Sequence, residues 1–251
     1  MPVIKRSIVV IALLAATVMV MAAQSPEPPI SDTRIPVHTL VREDIFAGFL
    51  AGDMERFARG EKNVDLLLEK RPTEKSSLLA WKGGAMLYRA ILALEAKRND
   101  EFEKKYGEAL ALFDQAKKEG ANNPGVDAIQ GGTFVIFADR LPKQHRAPAW
   151  ARAYEGYQTL WKLQGAMVAN LPLHLKGELL GGLAMSSQRT GRTDELNQHL
   201  ARIETVLAGT AYENVAKKWK ENPKSAESVS IACLSCHEGG RLGARLNALS
   251  K

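Results

Sequence analysis

Sulfur is scarce in this chain: 251 residues hold only two cysteines, Cys233 and Cys236. A four-cysteine zinc site and a multi-bridge disulfide framework are therefore excluded. Aromatic residues make up only 6%, and no block of Lys and Arg is interleaved with them, so nucleic acid is not an expected partner. Strand-type alternation of useful length is missing. Beyond the N-terminus no run is apolar enough to cross a bilayer. There is no nucleophile elbow, no carboxylate pair clustered on one helix face and no second metal motif, so the sequence does not point to an enzyme.

What is present begins with "MPVIKRSIVVIALLAATVMVMAAQ". Two basic residues, Lys5 and Arg6, precede an uncharged apolar run from Ser7 to Ala23, with small residues Val20 and Ala22 placed for cleavage. This is the layout of a secretory signal peptide over 1–23. The alternative is an uncleaved membrane anchor, although the run is short for a span of about 20 apolar residues. The expected location is exported, periplasmic, with no membrane span in the mature chain. Net charge is +6, and loss of Lys5 and Arg6 lowers it by two. "QSPEPPISDTRIP" then reads as a Pro-rich linker over 24–38.

From residue 39 to 222 the chain reads as helix almost throughout. In "SLLAWKGGAMLYRAILALEA" the residues Leu78, Trp81, Ala85, Tyr88 and Leu92 share a stripe. "YGEALALFDQAKKEG" places Leu110, Phe113 and Ala116 alike and stops at Gly120 and "NNPG". "TFVIFA", Thr133 to Ala138, is β-prone but sits in helical context and is expected to be buried helix. "LPKQHRAP" and "GANNPG" are expected to be exposed connections. Helix pairs are expected to start near Leu40, Ser76, Gly125 and Leu173. Gly52-Asp53 separates two amphipathic runs, and Gly191 with Asp194-Glu195 separates two more. Leu180, Ala184, Gly191, Leu196, Leu200 and Ile203 resemble a tetratricopeptide repeat, as do Trp81, Ala85 and Tyr88 with Ala109, Phe113 and Ala116. The expected fold is all-α, a tetratricopeptide-like array of antiparallel helix pairs with a C-terminal haem-attachment helix. An irregular helical bundle is the alternative. A helical array of this kind also offers a surface for a peptide or protein partner.

Both cysteines lie in "ACLSCHEGG", with His237 directly after Cys236. A C-x-x-C pair serves a redox dithiol, half a zinc site or covalent haem attachment. The dithiol of the thioredoxin type needs a βαβ context, which is lacking. Zinc needs a fourth ligand and would have to take two adjacent residues. A disulfide would close a tiny loop without using the histidine. Covalent haem uses all three residues: two thiols for two vinyl groups, and an imidazole for the iron. An export signal agrees with this, because the attachment is made outside the cytoplasm.

In these residues the chain resembles a c-type cytochrome. With only 14 residues after His237 and no methionine among them, a self-contained class I domain does not fit. Class II, cytochrome c-prime-like proteins are similar in carrying the motif on the last helix. Arg241 matches their basic position, and Gly240 departs from their aromatic one. The resemblance implies one covalent haem c in the segment 223–251, bound by Cys233, Cys236, His237 and Arg241, with His237 on the iron and electron transfer to a redox partner protein as the activity. Arg241 and Arg245, four apart, could meet the propionates if a helix resumes after the glycines; the alternative is a solvated basic tail. Sixth-ligand candidates are Met54, Met86, Met167, Met185, His38, His145, His174 and His199. Of these, His145 is expected in a polar connection and His199 on the polar side of its helix. Alternatives are a five-coordinate haem gas sensor, or a helical-repeat scaffold for protein–protein interaction in which the cysteines form a disulfide.

Overall fold

A computed structural model describes residues 26–232, 234 and 240–251. The signal segment 1–23 and the residues Cys233, Cys236 and His237 lie outside the described residues. The chain is all-α. Four helix pairs follow one another: α1 (Val37–Ala51) with α2 (Met54–Lys70), α3 (Lys75–Glu95) with α4 (Asn99–Glu119), α5 (Pro124–Phe137) with α6 (Lys143–Gln164), and α7 (Leu173–Arg189) with α8 (Thr193–Val206). Then come α9 (Ala211–Glu221) and α10 (Arg241–Leu249). Within each pair the two helices pack on one another, and α1, α3, α5 and α7 also touch in succession. They form an inner row. Among the described residues no helix is long and apolar enough to cross a membrane.

Local chemistry sets the corners. Gly52 takes φ +66°, a left-handed conformation that suits glycine. The next residue, Asp53, caps α2 by accepting the Arg56 N–H. Asn123 caps α5 by accepting the Gly125 N–H, and its amide donates to Ser76 Oγ and Ser77 Oγ of α3. One side chain thus starts a helix and fixes it to its neighbour. Buried Asp44 joins α1 to α2, accepting from Arg56 Nε at 3.0 Å and from the Arg59 guanidinium at 2.7 Å. The run from Thr133 to Phe137 is helix, and its Phe134 and Phe137 are fully buried.

Three boundaries differ from expectation. The linker over 24–38 is bound to the body along much of its length. The Arg71 guanidinium, itself buried, donates to the carbonyls of Ile30, Asp32 and Ile35 at 3.3, 2.6 and 2.7 Å. It replaces water at three backbone acceptors, and Ile35 is fully buried beside it. Second, most of "LPKQHRAP" is helix: α6 begins at Lys143 and carries Pro148 inside it. Pro148 removes one backbone donor, but Gln144 and Pro148 are exposed, so water can serve the freed carbonyl. Third, the chain beyond 222, where the helical body was expected to end, is packed on it. Ala226, Ile231, Ala232 and Leu242 are buried, and Trp219 Nε1 donates to the Val229 carbonyl at 3.0 Å.

Candidate functional site

The inner row borders an apolar cavity of about 220 Å³ that opens to solvent. The α5 wall is low because Gly125, Ala128 and Gly132, spaced three and four apart, present small residues along one face. Phe46 of α1 and Trp81 of α3 line another side, their ring centroids 5.6 Å apart and nearly perpendicular. Phe49, Tyr88 and Phe137 extend this aromatic packing away from the cavity, which makes the wall stiff.

Polar groups are few and placed toward the N-terminal ends of α1 and α7. Arg42 and His38 lie one turn apart on α1, His174 and Glu178 one turn apart on α7, and Arg241 is the first residue of α10; all five line the cavity. Trp81 is 2% exposed, and its Nε1–H has no acceptor among the described residues. Buried donors are nearly always paired, so this N–H fits a polar group of a bound molecule. His38 lines the cavity and is exposed by its accessible surface, although protein atoms crowd it on most sides. Burial, reinforced by Arg42, Arg241 and His174, pushes its pKa down to about 4. The ring is therefore a neutral imidazole near pH 7. The lining thus combines apolar walls with two arginines, two histidines and one glutamate.

The C-terminal segment is tied to α7 and α1, two helices that also line this cavity. On α7, a side chain at Gly181 would meet the Ile231 carbonyl oxygen at 2.7 Å and Ala232 Cα at 3.3 Å; glycine permits that backbone contact. On α1, Glu43 accepts the Leu242 N–H, and Leu242 is buried. Gly240, at φ +84°, lets the helix restart at Arg241. Cys233 is bonded to Ala232, and His237 precedes Arg241 by four residues.

No protein-family model, curated protein or solved structure matches the chain. The candidate site is thus argued from its own residues.

Of the two arginines expected at a ligand's carboxylates, Arg241 lines the cavity, whereas Arg245 is exposed and does not. Of the eight candidate ligands, only His38 and His174 line it. His145 is in α6, not in a connection, with Nε2 3.2 Å from Glu103 Oε1 and its ring against Tyr106. His199 is buried, contrary to its expected polar side: its Nε2 has no partner among the described residues, and Arg202 Nη1 is 3.3 Å from Nδ1. Burial pushes its pKa down to about 4. Met185 is buried and accepts from Ser230 Oγ, Met167 is half exposed, and Met54 and Met86 pack partly on the core. Sequence reasoning missed Arg42. Its signal was a charge set between Val41 and Ile45 on an otherwise apolar helix face, four residues from a histidine.

Proposed function

We propose that the chain is an exported monohaem c-type cytochrome, with its haem linked to Cys233 and Cys236 and housed in the cavity of the inner helical row. One observation carries this reading. The residues flanking C-x-x-C-H are anchored at Ala232 on α7 and at Leu242 on α1, and both helices also line the apolar cavity. The cavity's character fits the group. Apolar helix faces suit the macrocycle, Arg42, Arg241 and the Trp81 N–H suit its carboxylates, and a neutral imidazole borders the same space.

Each cysteine would add its thiol across one vinyl group, sulfur to one carbon and hydrogen to the other, with no oxidant or reductant consumed. His237 would supply the imidazole of the fifth iron position. When bound, haem supplies an iron that alternates between ferrous and ferric and so passes one electron at a time. The stiff aromatic wall and the buried α5 face would limit water access and hold the two redox states in similar surroundings. Leu163, Met167, Leu173 and Leu175, at the end of α6 and the start of α7, keep large apolar surface exposed near this end, suited to transient contact with a redox partner protein.

The test is a denaturing gel stained for haem after expression with a c-type maturation system. The stain should persist in the wild-type protein and disappear in the Cys233→Ala, Cys236→Ala double variant. An unstained wild-type band, with maturation shown on a control cytochrome, would refute the reading.

A further inference from the structure

We infer that the turn between α6 and α7 is a docking surface for an anionic lipid membrane. Residues 163–175 run from the end of α6 through a tight 3-10 segment, Gly165–Asn170, into the start of α7. They contain no Asp, Glu, Lys or Arg, and from residue 28 to 251 no other run free of those four types is as long. Leu163, Met167, Leu173 and Leu175 in this run are 39–51% exposed, and they are four of the six large apolar side chains so exposed among the described residues. These four are not what holds the turn in place. Val168 is buried, and Trp161 and Leu171 pack partly on the core. The Trp161 ring lies against Gly165, where a Cβ would meet it at 2.8 Å. One set of apolar residues thus roots the turn, and a second set faces outward.

Charge decides the kind of surface this turn meets. Lys162 and Lys176 flank the run directly. The Arg202 guanidinium of α8 stands 4.8 Å from the Trp161 ring centroid. The nearest acidic residues in sequence are engaged elsewhere: Glu155 of α6 lies 3.5 Å from Lys117, and Glu178 of α7 lines the cavity. An apolar tip is therefore ringed by cations and one tryptophan. Lysine is depleted at protein–protein interfaces and leucine is rare among their hot spots. At a membrane surface the same residues are at home: leucines enter the acyl boundary, tryptophan sits at the headgroups, and lysines reach anionic phosphates on long apolar stems. Each basic residue near such a surface adds to the attraction. A redox partner protein is the competing occupant of this patch.

The test is peptide-resolved hydrogen exchange of the full-length protein, titrated with vesicles of equal parts phosphatidylcholine and phosphatidylglycerol. Amides of 163–175 should gain protection on these vesicles and much less on phosphatidylcholine alone, and added salt should weaken the effect. This readout locates the contact at the turn whatever residues 1–23 do. Met167→Ser combined with Leu173→Ser should raise the lipid concentration for half-protection at least about tenfold. Lys162→Gln and Lys176→Gln should each raise it about fivefold. Val168 and Leu171 stay in place in every variant, so helicity by circular dichroism should not change. No protection of the turn on the mixed vesicles overturns the inference and leaves the patch to a partner protein. Equal protection on phosphatidylcholine alone, or serine variants that are protected like the wild type, overturns it as well. None of these outcomes depends on bound haem, so the cytochrome reading stands or falls separately.

Discussion

Ile231→Ala tests whether the C-terminal segment belongs to the core. Ile231 is fully buried, its carbonyl lies against Gly181 of α7, and it stands two residues before Cys233. The substitution removes three carbons from a closed site. Transfer alone is worth about 0.8 kcal/mol per carbon, and the cavity left behind adds to this; such truncations cost about 2–5 kcal/mol. A loss of about 3 kcal/mol is expected, which for a chain of this size lowers the melting temperature by roughly 6–12 °C. Urea and thermal unfolding followed by circular dichroism, on protein with and without haem, would measure it. The apoprotein should show the loss as well, because the packing described involves protein atoms alone. A change below about 0.5 kcal/mol, as at a surface position, would refute the packing and return the segment to the status of an appendage.

Asp44→Ala should cost about 2–4 kcal/mol in the same assay, somewhat less than a fully enclosed pair, because Arg56 and Arg59 keep 30% and 32% of their surface and can be rehydrated. Gly182→Ala would set a Cβ 2.1 Å from the ring of fully buried Tyr157; a loss of about 2–3 kcal/mol is expected despite the better helix propensity of alanine, and a stabilised variant would contradict the packing. His199 holds a folded pKa of about 4 against an ordinary 6.5. Between those values the unfolded chain binds the extra proton, so stability falls as pH drops from about 6.5 to about 4 and is not lowered further by this group below that. His199→Gln should flatten that part of the stability curve, and an unchanged slope would refute the assignment.

The sequence was most legible where signals are local. Helix pairs expected near Leu40, Ser76, Gly125 and Leu173 begin at Val37, Lys75, Pro124 and Leu173, because Gly52-Asp53, Asn123-Pro124 and Gly191 mark their turns within a few residues. The cavity was not legible. It needs Gly125 and Gly132 of one helix opposite Phe46, Trp81 and His174 of three others, and no short window holds that arrangement. Ile231 lies in a short run with Val229, Ala232 and Leu234 that has no helical period, and its carbonyl rests against Gly181, fifty residues earlier. Nothing near Arg71 in sequence reveals the three carbonyls it collects. His199 sits among polar residues of α8, yet its ring is buried.

The central claim is that Cys233 and Cys236 hold haem. Trypsin should release the segment from Ser225 to Arg241, which contains no internal Lys or Arg and carries both cysteines and His237. Mass spectrometry of that peptide, from protein matured in cells that attach c-type haem, is the direct measurement. The account predicts one haem per peptide, joined through both sulfurs and retained in denaturant. A peptide with two free thiols, or with Cys233 and Cys236 joined in a disulfide, would contradict it.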